Sequence, residues 1–221
     1  PVAAISVRDD LGLDVRTTPG TERQPARAPA ELDHVMTTSS TTGLPKAVMH
    51  TANTLAALNI TFAERFGLDA SSPILMASPL GHSVGAIHGA RLALHTGAPL
   101  VLLDRWEPTR ALALAAEHRC AFTAAATPFL KDLVDAPAAA RGEPKLATLR
   151  WFLCGGAPVP PSLMDAAEAQ FPQTEITVLW GMTEGGLTTS TAQTPRDVRR
   201  VSAGIGLPGL ELAIVDPDGA R

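Results

Sequence analysis

Cysteines, long apolar runs and a basic face are all scarce or missing in this chain. The two cysteines, Cys120 and Cys154, lie at the edges of apolar runs, and neither has a Cys or His neighbour at metal-ligand spacing, so we expect buried free thiols. No apolar run approaches the ~20 residues that span a bilayer. The first ten residues, PVAAISVRDD, also lack the charged-then-apolar pattern of a secretory signal. These absences predict a cytoplasmic location without a membrane span.

Charge is also sparse. Charged residues make up 18% of the 221 residues, and the formal net charge is -4. The lysines and arginines form no face dense enough to follow a phosphate backbone, which argues against broad nucleic-acid binding. An anionic ligand must therefore be held locally. The 18 glycines and 19 prolines predict many short elements separated by turns.

The most informative segment is MTTSSTTGLPKAVMHT, residues 36–51. The seven residues from Thr37 to Gly43 are six hydroxyl-bearing residues and one glycine, so this loop offers small donors to a ligand with several oxygens, such as a polyphosphate. Lys46 adds a positive charge. The loop is not a Walker A site, because Leu44 and Pro45 separate the glycine from the lysine. A Ser/Thr-rich surface turn is the alternative.

Short apolar runs alternate with longer amphipathic ones along the chain. Strands separated by crossover helices imply an α/β fold with a mostly parallel sheet covered by helices on both faces. Strands are expected at residues 34–38, 73–78, 99–104, 121–126, 149–154 and 175–180, and helices at 51–66, 84–95, 108–118, 128–135 and 161–170. Residues 211–219, ELAIVDPDG, predict a further strand that runs into a tight turn.

Polar or glycine-rich segments follow five of these strands. They read TTSSTTG, PLGH, Ala-Thr-Pro at 126–128, CGGAP and GMTE. Ligands of parallel sheets bind outside the carboxyl ends of the strands, so five strand-end loops can face one cleft.

Three of these segments resemble motifs of the adenylate-forming acyl-CoA synthetases. Residues 38–48, TSSTTGLPKAV, are similar to the phosphate loop T-S-G-T-T-G-x-P-K-G-V of that family, with Ser40 and Ala47 in place of two glycines. WGMTE at 180–184 resembles the motif at the adenylate, and CGGAP at 154–158 resembles the adenine-side loop. The motifs stand in the family's order. Medium-chain and cyclohexanecarboxylate-type CoA ligases are the members that the chain resembles most.

The resemblance also implies a division of the chain. Residues 1–30 would be the end of a preceding subdomain and an exposed connection, and residues 31–221 the central ATP- and acyl-binding part of the large domain. In the family, an Asp that holds the ribose and a Lys that bridges carboxylate and phosphate lie beyond the equivalent of Arg221. We therefore expect the 221 residues alone to be incomplete for the reaction and able to self-associate through truncated edges.

By resemblance, the reaction activates a carboxylic acid with ATP and then transfers the acyl group to coenzyme A. Lys46 would contact the phosphates, Thr183 the α-phosphate, and Glu184 would ligate Mg²⁺. His82 in PLGHSVG would lie beside the reacting carboxylate. His50, just after the phosphate loop, is interpreted as structural. The implied nucleotide-binding set is Thr38, Ser39, Ser40, Thr41, Thr42, Gly43, Lys46, Gly155, Gly156, Ala157, Pro158, Trp180, Gly181, Met182 and Thr183.

Each of these assignments has a structural alternative. Glu184 could be a solvated loop carboxylate, and a lone histidine such as His82 is more often structural. Gly155 and Gly156 could form a plain turn. Trp180 could lean over the cleft or simply end a buried strand. At the level of the whole chain, the alternative is a non-catalytic nucleotide-binding remnant or interaction module.

The acid itself is constrained by an absence. No acidic residue lies between Ser71 and Leu103, whereas amino-acid adenylation domains usually place an Asp in this region to pair with the substrate's ammonium group. The sequence therefore argues against an amino-acid substrate. Gly85 and Gly89, with Thr127, are expected to line a substrate site with room for a ring or a modest chain.

Overall fold

The computed structural model describes residues 3–7, 13–17, 28–38, 44–136, 146–191 and 193–220. Its strands are β1 Ala3–Val7, β2 Leu13–Thr17, β3 Leu32–Thr38, β4 Lys46–Thr51, β5 Ile74–Met76, β6 Leu100–Leu102, β7 Phe122–Ala126, β8 Trp151–Gly155, β9 Glu175–Met182, β10 Gly185–Thr189 and β11 Ile205–Gly206. Its helices are α1 Ala52–Phe66, α2 Leu92–Thr96, α3 Pro108–Glu117, α4 Thr127–Asp135, α5 Pro161–Gln170 and α6 Arg196–Arg199.

A seven-stranded sheet forms the main body, in the order β11-β10-β9-β8-β7-β5-β6. The five strands from β5 to β9 pair in parallel, and β10 and β11 add an antiparallel edge. The predicted α/β class with a mostly parallel sheet is confirmed. The predicted strands of this sheet all form, although β5 and β6 are shorter than expected.

Side chains alternate between the two faces of this sheet, and each face is buried. On β8, Phe152 and Cys154 pack with α3, α4 and α5, whereas Leu153 between them packs on the opposite side with α1 and α2. β5 alternates in the same way, because Leu75 faces the first layer while Ile74 and Met76 face the second. Helices therefore cover both faces, as the continuous apolar runs of buried parallel strands require.

The long helix α1 has clear start and stop residues. The Thr51 side chain accepts a hydrogen bond from the Thr54 amide, and Thr54 reciprocates in a capping box. The helix ends at Gly67, whose left-handed backbone (φ 57°) lets its amide return to the carbonyls of the last turn. The predicted helix over 51–66 is thereby confirmed, with its first residue acting as the cap.

One predicted strand does not join the parallel sheet. β3 pairs antiparallel with β4 in a separate two-stranded hairpin. The hairpin docks through Met36, which is buried with Leu55 of α1 and Ile87. An ion pair of 2.6 Å between Asp33 and Arg91 adds a second attachment. The expectation that TTSSTTG follows a strand of the main sheet was therefore wrong.

The helix expected at 84–95 forms, but its first part is wider than an α-helix. Residues Val84–Arg91 are π-helical and lead directly into α2. Such turns are rare and occur frequently at functional sites. Apolar periodicity over only eight residues does not distinguish a π-helix from an α-helix.

The chain's last described residues differ from the prediction. Residues 211–216 form no strand, and Leu212, Ile214 and Val215 are exposed. The predicted turn does form, because a carboxylate oxygen of Asp216 accepts hydrogen bonds from the amides of Asp218 and Ala220. A strand pattern becomes a strand only where a partner edge is available, and none of the described residues provides one here.

Two predicted absences can be compared with the structure. Cys120 and Cys154 are both buried free thiols, as expected. Among the described residues, no helix has the length and apolarity needed to cross a bilayer.

The two glycines of the π-helical segment give a stability prediction. A Cβ at Gly85 would lie 2.2 Å from the Pro79 carbonyl oxygen, which is backbone and cannot turn away. A Cβ at Gly89 would lie 2.8 Å from Cγ of Met76, a flexible side chain. We expect Gly85→Ala to lower the free energy of unfolding by about 2 kcal/mol or more, and Gly89→Ala to change it by about 1 kcal/mol or less. Urea unfolding of both variants measures the difference, and equal values would contradict this packing.

Candidate active site

The strand order reverses beside β5, and a cavity lies at that point. β6 and β7 follow β5 in the chain but pair with opposite edges of it, so the loops after β5 and β7 diverge and leave a crevice at the carboxyl ends of the strands. The cavity measures about 300 Å³. It is lined by Ser78, Pro79, His82, Val84, Ala124, Ala125, Ala126, Phe129, Leu153, Gly155, Gly156 and Leu179.

His82 is the one ionisable residue among the cavity's lining residues. It lies in the turn between β5 and the π-helical segment and is exposed. Its Nδ1 accepts a hydrogen bond from the Val84 amide at 3.2 Å, so the neutral ring carries its proton on Nε2. The ring is therefore held in one tautomer at the cavity, with a nitrogen left to interact with a ligand.

A second histidine lies on the same segment but cannot act as an acid at neutral pH. His88 is buried and stacks on Phe62, with ring centroids 4.7 Å apart. Burial, together with the nearby charge of His82, lowers the pKa of His88 to about 4. His88 is a neutral core residue, which leaves His82 as the histidine of the cavity.

The segment CGGAP forms the end of β8 and the turn after it. Gly155 ends the strand, and Gly156 has φ 80°, a conformation that other residues rarely adopt. The hydroxyl of Thr127 donates to the Ala157 carbonyl oxygen at 3.2 Å and thereby ties this turn to the start of α4. Burial raises the pKa of the Cys154 thiol to about 11, so it remains protonated and is no nucleophile at neutral pH.

The segment WGMTE is a strand end and a tight turn rather than a loop. Trp180, Gly181 and Met182 belong to β9, and Thr183 and Glu184 are the two residues that connect it to β10. Trp180 pairs with Thr188 on β10, is 46% exposed and does not line the cavity. Trp180 lies two residues before the end of β9 and is half exposed, which does not fit the end of a buried strand, whereas its role at the cleft stays a prediction.

Glu184 and His82 line two different cavities. Glu184 is exposed and lines a second cavity of about 230 Å³, together with His50, residues of α1 and residues 207–210. His50 is buried, and its Nε2 lies 2.7 Å from the Thr183 carbonyl oxygen. Sequence reasoning assigned His50 only a structural role, and no local pattern indicated a partner 133 residues away.

The phosphate-loop prediction is only partly visible. Ser39, Ser40, Thr41, Thr42 and Gly43 lie outside the described residues, whereas Thr38 and Lys46 flank them as paired residues of the β3–β4 hairpin. The Lys46 side chain is exposed, so its charge is available to a ligand. Ala47 lies in the extended strand β4 opposite Thr37, where the freedom of a glycine is not required.

The predicted substrate-site residues are not brought together. Gly85 and Gly89 do not line the cavity, because backbone atoms of residues 78 and 79 and the Met76 side chain already occupy the space beside them. Thr127 uses its hydroxyl to hold the turn at Ala157. What does meet at the cavity is His82, Gly155 and Gly156 with apolar side chains such as Val84 and Leu179.

A magnesium ion would fit this chain only in company with a nucleotide. Among the described residues, no group of three His, Cys, Asp or Glu side chains could hold a metal ion. Mg²⁺ usually retains waters and takes one or two carboxylates plus substrate phosphates. The single exposed carboxylate of Glu184 suits that mode of binding.

The fold and the motifs can be compared with known proteins. The family model described as "AMP-binding enzyme" matches residues 4–221. The chain is 38% identical over 154 residues to a medium-chain fatty-acid–CoA ligase of Escherichia coli K12, covering 70% of this chain and 26% of the relative. It is 30% identical over 188 residues to 4-coumarate–CoA ligase 1 of Oryza sativa subsp. japonica, covering 81% and 33%. The chain spans about a third or less of these two relatives.

A solved structure supports the same fold. The luciferase-like enzyme from the nonluminescent mealworm Zophobas morio superposes with a TM-score of 0.81 at 22% identity, covering 92% of this chain and 49% of that one. The resemblance drawn from the three motifs is confirmed at the level of the family. Since the family model matches nearly every residue, the chain belongs to the AMP-binding enzyme family.

Proposed function

We propose that the whole protein is an AMP-forming acyl-CoA ligase. In its first step a carboxylate oxygen attacks the α-phosphorus of ATP, and the bond to pyrophosphate breaks. In its second step the sulfur of coenzyme A attacks the acyl carbon, the thiol loses its proton, and AMP leaves with the electrons of the broken acyl–oxygen bond. The relatives' names as CoA ligases support this reaction type.

The observation that carries the proposal is the cavity at the reversal of strand order. It joins His82, from the loop after β5, to the glycine pair after β8 and to apolar side chains of β7, β8 and β9. A flat base could lie against Gly155 and Gly156, and the acyl group could lie among the apolar residues. A volume of about 300 Å³ is at the lower end of small-molecule sites, for which ~300–1,000 Å³ is typical.

The residue roles follow from charge and placement. Lys46 would neutralise the β- and γ-phosphates with the hydroxyls of residues 39–42, and Thr183 would contact the α-phosphate. Glu184 would ligate Mg²⁺, which supplies positive charge to the phosphates and the leaving pyrophosphate. His82 would orient the reacting carboxylate through its free nitrogen, where the thiol also enters. Positioning of this kind is the main catalytic device for such displacements.

The acid is proposed to be a ring-bearing or medium-chain carboxylate. The cavity wall includes Val84, Phe129 and Leu153, and none of its described lining residues is acidic. An α-ammonium group would therefore be buried without a partner, which is costly. The medium-chain fatty-acid–CoA ligase among the relatives agrees with this class of acid.

Two further proposals concern the protein's surroundings. We propose a cytoplasmic location, where ATP and coenzyme A are both available. Self-association is proposed through exposed apolar residues near the last described strand, of which Ile205 is 65% and Ile214 is 95% exposed.

Removing the two charges should affect chemistry and not folding. Lys46 and Glu184 are both exposed, so Lys46→Ala and Glu184→Gln should change the free energy of unfolding by about 1 kcal/mol or less. Each should slow ATP–pyrophosphate exchange by the whole protein by about 100-fold or more, because a positioned charge at the phosphates is lost.

Matched controls come from exposed charges elsewhere. Lys131→Ala on α4 and Glu117→Gln at the end of α3 also remove one ammonium and one carboxylate, but from residues outside the proposed site. Both variants should leave ATP–pyrophosphate exchange unchanged. Near-normal exchange in Lys46→Ala or Glu184→Gln would remove that residue from the proposed machinery.

Acid preference is tested by thioester formation. With ATP, Mg²⁺ and coenzyme A, octanoate and cyclohexanecarboxylate should be used in preference to acetate and to phenylalanine, because the cavity offers apolar contacts and no partner for an ammonium. Liquid chromatography of the CoA thioesters measures the rates. Fastest turnover of free amino acids would overturn the substrate class, and ATP binding without any thioester would favour the non-catalytic alternative.

A cavity substitution locates the acyl group. Val84→Phe fills part of the cavity and should lower use of octanoate more than use of butyrate. Val198→Phe, at a 41% exposed residue of α6, adds the same bulk outside the cavity and should leave the ratio unchanged. An unchanged ratio in Val84→Phe would mean that the acyl group lies elsewhere.

A further inference from the structure

His50 connects two parts of the candidate site that are far apart in the sequence. It is only 6% exposed, and its Nε2 lies 2.7 Å from the Thr183 carbonyl oxygen. A carbonyl oxygen can only accept, so Nε2 carries a proton and donates it to this bond. A separation of 2.7 Å is within the normal range for a hydrogen bond.

The two ends of this bond carry the two charges of the proposed nucleotide site. His50 lies on β4, the strand that begins with Lys46. Thr183 is the neighbour of Glu184 in the two-residue turn between β9 and β10. One side-chain hydrogen bond therefore joins the strand that carries Lys46 to the turn that carries Glu184.

The fold has other means of holding the hairpin in place. Met36 is buried against Leu55 and Ile87, Asp33 pairs with Arg91, and β4 continues directly into α1. The turn at Thr183 is closed by the backbone pairing of Met182 with Gly185. Within the described part of the chain, His50 provides the only side-chain hydrogen bond to Thr183 or Glu184. The bond thus adds little to the hairpin's docking and instead ties this backbone-paired turn to β4.

We propose that His50 is a positioning residue, which holds the Thr183–Glu184 turn at a fixed distance from Lys46 so that a nucleotide's phosphates and their divalent cation meet both charges together. This role rests on the proposed function, because it assumes that ATP with Mg²⁺ is the ligand. His50 and Glu184 also line the same cavity of about 230 Å³, so a shift of the turn would move the carboxylate directly.

The test compares ATP affinity with and without Mg²⁺ by isothermal titration calorimetry of the whole protein. The unsubstituted protein should bind ATP more tightly with Mg²⁺ than in its absence. His50→Ala should reduce this Mg²⁺-dependent gain by about fivefold to tenfold, the effect of one lost hydrogen bond, and leave metal-free affinity within about threefold. His50→Gln, whose amide nitrogen can reach the same carbonyl, should retain most of the gain.

A structural role alone would not produce this pattern. His95→Ala, which removes an exposed histidine from α2, should bind as the unsubstituted protein does. In Glu184→Gln, adding His50→Ala should cause no further loss, because both changes act on the same cation. If His50→Ala does not fold by near-ultraviolet circular dichroism, His50→Asn replaces it, because its shorter amide cannot reach Thr183.

Two failures can be told apart. Absence of ATP binding by the unsubstituted whole protein would overturn the proposed function and the positioning role with it. Normal ATP binding with an unchanged Mg²⁺ gain in His50→Ala, or equal losses in His50→Ala and His50→Gln, would overturn the positioning role and leave the proposed function standing.

Discussion

Burial of both faces of the parallel sheet is the constraint on which the rest of this structure depends. Because alternate residues of β5 and β8 enter opposite apolar layers, helices must cover each face, and the connections between strands must cross over. All five parallel strands then end at one edge. The reversal of order beside β5 opens that edge, and the cavity with His82 and the Gly155–Gly156 turn follows from this arrangement.

The β3–β4 hairpin is the second component of the site, and it packs against the main body without joining the seven-stranded sheet. Its contribution depends on where it docks, since Thr38 and Lys46 lie at one end of it and Met36 provides its apolar contact. His50 joins the hairpin to the β9–β10 turn by a hydrogen bond to the carbonyl oxygen of Thr183, the residue next to Glu184. The proposed site is thus divided between the strand-end cavity and a hairpin held by the Met36 contacts, the Asp33–Arg91 ion pair and the His50 bond.

Local sequence predicted most elements because their signals are local. Thr51 caps the start of α1 and Gly67 ends it. The apolar run at 151–155 is long enough to identify a buried strand. Pairing was not predictable in the same way. An apolar run at 34–38 looks alike in a parallel sheet and in a separate hairpin, and the pattern at 211–216 finds no partner edge among the described residues. The His50–Thr183 contact and the close packing at Gly85 depend on tertiary neighbours that no spacing encodes.

In the proposed function, a nucleotide binds at the carboxyl ends of these strands, between the turn after β8 and the turn after β9. Amide hydrogen–deuterium exchange of the whole protein, with and without saturating ATP and Mg²⁺, can locate that nucleotide. We expect slower exchange at residues 155–158 and 180–184, because a bound nucleotide would cover both turns. Bound ATP that leaves both segments unprotected and slows exchange only elsewhere would contradict it.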